Sequence, residues 1–250
     1  SMISASAILL QMNKIDDAKK ALSAALKISL NEEITPKCAP SKNKNNNIAY
    51  LSYLSKLIPE IPHIKTTSAP QILHIGESHC LAFTNQVIEL KGKKYTIKPS
   101  LVKGAKAFHL SEKSRTNQQN IGFKKRLQQN LDAYQHIFLS FGEIDCREDE
   151  GILLYSRKSG KSIKDIAKAT ATNYFKQTAT SLAKYKGKLV YFGTPAPFQA
   201  APNSIESSAS NERRLLAITV FNTTLAKQCQ ESGSSFVDEY KLTADKDGYN

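Results

Sequence analysis

The sequence lacks several features that would place the chain in a familiar class at once. It contains no Cys-x-x-Cys pair, so neither a zinc site nor a redox dithiol is predicted. Its four cysteines lie far apart, at Cys38, Cys80, Cys146 and Cys229. No apolar run approaches the length of about 20 residues that a membrane span requires, and charged residues come too early for a secretory signal. We therefore expect free thiols in a reducing cytoplasm, no metal and no cofactor.

Positive charge is abundant, but it follows no nucleic-acid-binding pattern. The formal net charge is +13, and the lysines are scattered along the chain without an aromatic-basic stripe. This distribution favours a solvated lysine-rich surface, and nucleic acid is not an expected partner. If the charge does serve a partner, an anionic glycan suits it as well as a nucleic acid does.

The first 47 residues are predicted to form a helical hairpin followed by a linker. Two apolar stripes at helical spacing, within residues 3–29, are separated by a turn at Asn13 and Lys14. Residues 12–31 resemble the second half of a tetratricopeptide repeat, with Ala18 and Ala25 at that family's small packing positions. The resemblance implies that the hairpin docks a protein partner, and an ordinary helical hairpin is the alternative. Residues 41–47 are polar and of low complexity, which predicts a linker or loop.

Residues 48–250 are predicted to form an α/β domain. A short helix over 48–57 is expected to end before Pro59. The predicted strands are 72–75, 95–97, 101–102, 137–141, 189–192 and 236–237, and the predicted helices are 79–90, 117–133, 163–185 and 211–231. This alternation predicts a parallel sheet covered by helices on both faces. Active sites of such sheets lie at the carboxyl ends of the strands, which singles out residues 76–79, 103–105 and 142–147.

Two of these places carry polar motifs directly after apolar strands. The first strand ends in Gly-Glu-Ser, and Ser78 could be either the N-cap of the following helix or a nucleophile beside unpaired backbone N–H groups. The second strand runs into Gly-Glu-Ile-Asp-Cys-Arg at residues 142–147. There, Asp145 and Arg147 could form a structural ion pair or face a substrate.

Together these motifs resemble the SGNH (GDSL-type) serine hydrolase superfamily, in particular a bacterial branch with Gly-Asp-Ser-His and Gly-Glu-Ile-Asp-Cys-Arg. The resemblance spans roughly residues 70–245 and implies a flavodoxin-like three-layer α/β/α fold. It implies that Ser78 is the nucleophile and that the Gly104 N–H group binds the oxyanion. Glu77 replaces the usual aspartate, and Ile144 replaces the usual asparagine donor, for which Arg147 is the candidate substitute. The residues it implies as further substrate or oxyanion contacts are Glu77, His79, Gly142, Glu143, Asp145 and Arg147.

The resemblance implies an esterase or O-acyltransferase acting on an O-acylated substrate such as a sugar, in a bacterial cytoplasm. The family takes its general base from a C-terminal Asp-x-x-His segment. The five histidines are His63, His74, His79, His109 and His136, so residues 137–250 contain no such segment. We expect the chain to be inactive without that segment, which is expected beyond Asn250, and we read Asp238 as a strand-end residue. The alternative is a non-catalytic module that binds glycans or serves as a scaffold.

Overall fold

The computed structural model describes residues 2–31, 41–62, 68–111, 117–198 and 205–250. Cys38 and His63 lie outside these residues. The chain divides into two compact units, and they are described separately. The first unit contains residues 1–71 and 79–100, and the second contains residues 72–78 and 101–250. No helix among the described residues is long and apolar enough to cross a membrane.

The helices and the strands are each numbered in chain order. The α-helices are α1 Met2–Gln11, α2 Ile15–Asn31, α3 Ser41–Glu60, α4 Ala107–Ser111, α5 Gln118–Leu127, α6 Gly151–Ser159, α7 Ile163–Ser181, α8 Ile205–Ser232 and α9 Glu239–Thr243. The strands are β1 Gln71–Gly76, β2 Val87–Leu90, β3 Lys93–Leu101, β4 His136–Ser140, β5 Lys188–Phe192 and β6 Ser235–Val237. Short 3-10 helices occupy Ser78–Phe83, Leu131–Ala133 and Ile144–Cys146.

The first unit begins with two helices in the region where the sequence predicted a helical hairpin. Helices α1 and α2 are joined at Asn13, whose φ of 57° is left-handed, a conformation that asparagine tolerates better than most residues. Ala18 is fully buried and Ala25 nearly so, as expected for small residues where helices approach closely. The likeness to a tetratricopeptide repeat stays a prediction.

The predicted linker at residues 41–47 is wrong, because these residues form the first turns of α3. The predicted domain boundary after residue 47 therefore falls inside a helix. Polar residues such as asparagine and lysine disfavour a helix only weakly, so composition alone did not exclude one. The helix also continues past Pro59 to Glu60. Pro59 has no N–H group, so α3 lacks one i→i−4 hydrogen bond in its last turn.

The predicted helix over 79–90 is also wrong, since that stretch contains a six-residue 3-10 helix and then β2. Strands β2 and β3 pair antiparallel, with Leu90 opposite Lys93. The two turn residues between them, Lys91 and Gly92, have φ values of 52° and 75°. Two consecutive left-handed residues form the turn type that matches the twist of a hairpin, so the hairpin overrides the helical spacing.

The second unit confirms the α/β class with a parallel sheet. Strand β4 pairs in parallel with β1 on one side and with β5 on the other, and β6 pairs in parallel with β5. The strand order within this unit is therefore β1-β4-β5-β6. Since parallel strands all end at the same edge, the residues that follow β1, β4, β5 and β6 lie along one edge of the sheet.

One face of this sheet packs against helices α4–α8. The strand residues on that face alternate along the chain, as the two-residue period of a strand requires, and are Leu73, Ile75, Ile137, Leu139 and Tyr191. They form one core with buried side chains from the helices, among them Phe123, Tyr174 and Phe221. This core anchors the strand ends from which the candidate site is built.

Candidate active site

The strand ends beside Ser78 are joined by backbone hydrogen bonds. Val102 donates its N–H group to the carbonyl of Gly76, at 2.8 Å, and Glu77 donates its N–H group to the carbonyl of Ser140, at 3.1 Å. The end of β1 is therefore bonded to the segment that begins the 103–105 turn and to the end of β4. Ser78 follows directly and is half-buried. The structure thus places the serine at the predicted edge without sealing it in the interior.

The backbone around Ser78 differs from the prediction in one respect. Ser78 begins a 3-10 helix of six residues instead of a long α-helix. Aligned peptide dipoles of a full helix are therefore not available to stabilise an oxyanion at this position. In the second unit, stabilisation of an oxyanion at this position would depend on individual backbone N–H groups.

Glu77 links the end of β1 to the motif at residues 142–147. Its side chain is 1% exposed, and its Oε1 accepts a hydrogen bond from the N–H group of Glu143 at 3.1 Å. Burial, reinforced by the nearby negative charge of Glu143, raises the pKa of Glu77 well above its usual range. Glu77 is therefore a structural tie between the two motifs, and its side chain is directed into the protein.

The loop after β4 begins at a glycine that packing requires. Gly142 has a φ of 130°, and a Cβ atom on it would lie 2.7 Å from the ring of Phe221 and 3.0 Å from Cγ2 of Thr194. Gly142 is thus buried against α8 and against the loop that follows β5. This contact places the loops after β4 and β5 side by side.

The ion pair between Asp145 and Arg147, one of the two alternatives that the sequence allowed, is replaced by other contacts. The Asp145 carboxylate accepts hydrogen bonds from the N–H groups of Ala107, at 2.6 Å, and Phe108, at 3.2 Å. Arg147 instead binds the carboxylate of Glu143 through two nitrogens, with Nη2 2.5 Å from Oε2. Asp145 is fully buried and Arg147 is exposed, so the two side chains lie in different environments.

The turn that carries Gly104 is fixed at both ends. Val102 is bonded to Gly76 before the turn, and Ala107 is bonded to Asp145 after it. Gly104 itself is exposed, with a φ of 66° and no atom within 4 Å of the place a Cβ would occupy. The end of β1 and the motif at residues 142–147 therefore hold the Gly104 turn in place.

Sequence reasoning missed the part played by the loop after β5. The side-chain oxygen of Asn222, on α8, accepts from the N–H group of Thr194 at 2.8 Å and from its hydroxyl at 3.0 Å. The amide nitrogen of Asn222 donates to the Thr194 carbonyl at 2.9 Å. An asparagine within a helix gives no such signal in a sequence, because its partner lies 28 positions away.

The histidines of the second unit lie in β1, β4 and α4. His74 lies within β1, fully buried, with Nε2 2.9 Å from the hydroxyl oxygen of Ser140. His136 begins β4 at the amino end of the strand, opposite the edge that carries Ser78. His109 lies in α4, where its Nδ1 accepts from the Lys106 N–H group at 3.4 Å. His79 belongs to the first unit.

Asp238 follows β6, as predicted, and caps α9 by accepting a hydrogen bond from the Lys241 N–H group at 3.2 Å. We therefore assign the role of general base to none of the histidines that the structure describes in the second unit.

The buried carboxyl group of Asp145 gives the protein a pH-dependent stability. Burial raises the pKa of Asp145 from 3.8 to about 6, although the Phe108 and Ala107 N–H groups oppose the shift. The folded state then binds more protons than the unfolded state between about pH 4 and 6, so this group lowers stability as pH rises through that window, by roughly 3 kcal/mol. We expect the variant Asp145→Asn to show a flatter pH dependence of the free energy of unfolding across that window.

Urea unfolding at several pH values measures this effect. Asp165→Asn, which changes an exposed carboxylate in the first turn of α7, is the matched control and is expected to keep the wild-type slope. Equal slopes for Asp145→Asn and the wild type would contradict the role of burial.

Comparison with known proteins gives similarity in structure only. No family model matches the chain, and no curated protein matches its sequence. An aryl esterase from M. smegmatis is similar at 12% identity and a TM-score of 0.40, with 68% of this chain and 84% of that chain covered. Phospholipase A1 from Streptomyces albidoflavus is similar at 9% identity and a TM-score of 0.39, with 72% and 85% covered. For an acetylxylan esterase of Geobacillus stearothermophilus, a catalytic mutant, the values are 13%, 0.34, 70% and 78%. At these values the likeness assigns neither a family nor an activity to this chain.

Proposed function

We propose that the carboxyl edge of the second unit is the site of a serine ester hydrolase in which Ser78 is the nucleophile. The proposal rests on one observation: hydrogen bonds tie the backbone beside Ser78 to both of the other motifs of this edge. The resemblance of these motifs to the SGNH hydrolases supplies the roles. An O-acyltransferase would use the same first half-reaction with an alcohol as the acceptor.

The proposed reaction has two steps. The Ser78 hydroxyl attacks the ester carbonyl carbon and gives its proton to a general base, and the N–H groups of Ser78 and Gly104 bind the negative oxygen. The alcohol leaves with that proton, and the acyl group stays on Ser78. Water then attacks the acyl-enzyme, the base again takes and returns the proton, and the acid is released.

The proposed reaction needs an additional oxyanion donor and a general base, which the residues around Ser78, Gly104 and positions 142–147 do not supply. The Ile144 side chain cannot donate a hydrogen bond, and loss of one oxyanion donor can cost about 2.7–4 kcal/mol of transition-state stabilisation. The general base in the proposal is an imidazole, and we assign this role to no histidine among the described residues of the second unit. Imidazole dissolved in the buffer can supply this group, so the proposal is testable on the chain as it stands.

The residue at position 144 also favours a second candidate function. The superfamily usually has an asparagine donor at this position, and a binding module that does not perform the reaction would have no need of one. Such a module would hold an O-acylated glycan at the same edge without turnover. Saturable glycan binding that survives the variant Ser78→Ala, together with no imidazole-dependent hydrolysis, would favour this candidate.

The role of the Gly104 N–H group can be tested with a matched pair of glycines. Gly104 and Gly160 have φ values of 66° and 69°, and neither has an atom within 4 Å of the position that an added Cβ would take. Alanine at either place costs about 1–2 kcal/mol of backbone strain. We expect both Gly104→Ala and Gly160→Ala to lose that stability. Only Gly104→Ala should lose imidazole-dependent hydrolysis of 4-nitrophenyl acetate, by at least about tenfold, because strain turns the donor away from the oxyanion.

Gly160 ends α6 and has no part in the proposed reaction, so Gly160→Ala controls for lost stability. Both the free energy of unfolding and the hydrolysis rate would be measured for each variant. Equal rates in the two variants would remove Gly104 from the oxyanion site.

A further inference from the structure

The hairpin formed by β2 and β3 in the first unit carries a compact cluster of positive charge. Residues 91–94 read Lys-Gly-Lys-Lys, and all four are exposed. We call Lys91, Lys93 and Lys94 the tip lysines. Within residues 87–98 the side chains carry four positive charges and one negative charge, that of Glu89. Part of the scattered lysine content of the chain is therefore concentrated at the end of one ribbon.

The backbone of the hairpin fixes where the tip lysines lie. Lys91 and Gly92 form the turn, and the two strands pair on either side of it. Successive side chains of a strand point to opposite faces, so Lys93 and Lys94 lie on the two faces of the ribbon, with Lys91 at its end. On its own face, Nζ of Lys93 lies 5.5 Å from the centre of the Tyr95 ring. The three ammonium groups thus surround the tip of a ribbon whose backbone is held by strand pairing.

The stability of the hairpin gives no reason for lysine at the first position of the turn. Lys91 has a φ of 52°, a left-handed conformation in which glycine, asparagine or aspartate is preferred. Like charges that are close together on a hairpin also repel one another. An unfavourable residue at a defined backbone position is an indication of function.

Protection of the edge of the sheet does not account for the tip lysines either. Lysine commonly prevents an edge strand from pairing with another chain. Among the described strands β2 pairs with β3 alone, so β2 is the edge strand of the hairpin. Its residues, Val87–Leu90, include no lysine, and the tip lysines belong to the turn and to β3. The cluster is therefore better explained by a partner of opposite charge.

The composition of the hairpin favours a polysaccharide over a nucleic acid as that partner. A two-stranded ribbon enters the major groove of duplex DNA and reads the bases through forked side chains such as arginine, asparagine and glutamine. Residues 87–98 contain none of these three. Single strands are bound by exposed aromatic side chains on which the bases stack, but Tyr95, the aromatic residue of the hairpin, is 4% exposed. Lysine ammonium groups each offer three hydrogen-bond donors, which suit the anionic groups and hydroxyls of a polysaccharide.

We propose that the tip lysines form a docking surface for a linear sulfated polysaccharide. Lysine supplies charge without a fixed geometry, so the affinity should follow the charge density of the ligand, which is highest where sulfate groups add to the carboxylates of the sugars. The interaction is independent of the reaction proposed for Ser78. Because it is electrostatic and exposed to solvent, it should weaken steeply as the salt concentration rises.

The test measures the binding of a fluorescent heparin oligosaccharide to the full chain by anisotropy, at about 50 mM and about 200 mM salt. The variant K91Q/K93Q/K94Q is expected to raise the dissociation constant at least about tenfold at the lower salt concentration and to flatten the salt dependence. The variant K91R/K93R/K94R keeps the three charges and should bind as the wild type does. Polygalacturonate, which has carboxylates without sulfates, should bind more weakly than heparin.

The matched control is K164Q/K168Q/K176Q, which removes three exposed lysines from α7 of the second unit and gives the same net charge. This variant should keep the wild-type affinity, and urea unfolding of each variant checks that the fold is retained. Equal losses of affinity in the two glutamine variants would show that net charge alone attracts heparin and would overturn the inference. Unchanged heparin binding by K91Q/K93Q/K94Q would overturn it as well, as would tighter binding of polygalacturonate or of duplex DNA than of heparin.

Discussion

The variant Ser78→Ala is expected to hydrolyse 4-nitrophenyl acetate no faster than imidazole in free solution, at least about a thousandfold slower than the wild type with the same imidazole. The reason is that the acyl group must be carried by the Ser78 oxygen, and no neighbouring atom can replace it. Ser78 is only half-buried, so the change removes one oxygen without opening a cavity in the core. We therefore expect the free energy of unfolding to change by less than about 1 kcal/mol.

The matched control for this variant is Ser159→Ala. Ser159 is an exposed serine at the end of α6, where its hydroxyl bonds to the Tyr155 carbonyl. This variant should keep the full imidazole-dependent rate. If Ser78→Ala retained that rate as well, the hydrolysis would arise elsewhere on the protein, and the proposed nucleophile would be wrong.

The largest loss of stability is expected for Gly151→Ala. Gly151 has a φ of 35°, and a Cβ on it would lie 2.6 Å from Cα and 2.7 Å from the carbonyl oxygen of Asp145. These are backbone atoms of a fully buried residue, so no side chain can rotate away to relieve the contact. Overpacking of this kind together with a strained φ should cost about 3–5 kcal/mol of unfolding free energy.

Gly160→Ala provides the comparison, because it combines a left-handed φ with free space and isolates the cost of backbone strain. Both free energies would be measured by urea unfolding. A loss for Gly151→Ala no greater than that for Gly160→Ala would show that α6 can shift away from Asp145. If the account is right, Gly151→Ala should also weaken the bonds from Asp145 to Ala107 and Phe108, and with them the Gly104 turn.

Much of the second unit could be predicted from the sequence because its signals are local. A short apolar strand that ends in glycine and polar residues was recognisable at Gly76 and again at Gly142. The rule that parallel strands end at one edge then brought these places together. The hydrogen bonds of Glu77 to Ser140 and Glu143 agree with that expectation.

The interactions that the sequence did not predict depend on distant partners. An ion pair with Arg147, two positions away, was one of the two alternatives for Asp145, but its carboxylate binds N–H groups 38 and 37 positions away. The buried Asp145 carboxylate accepts two hydrogen bonds from backbone N–H groups at the start of α4. The exposed Arg147 binds the Glu143 carboxylate, one helical turn before it in the chain. The apolar spacing of residues 79–90 suited a helix, and only the hairpin turn at Lys91 and Gly92 decided against it.

The most direct test of the central claim is to treat the protein with a fluorophosphonate in the presence of imidazole and to measure the mass of the peptide that contains Ser78. The account predicts a single phosphonyl adduct on Ser78, absent from Ser78→Ala and much reduced in Gly104→Ala but not in Gly160→Ala. Phosphonylation at another residue, or an unmodified Ser78 peptide after prolonged exposure, would contradict it.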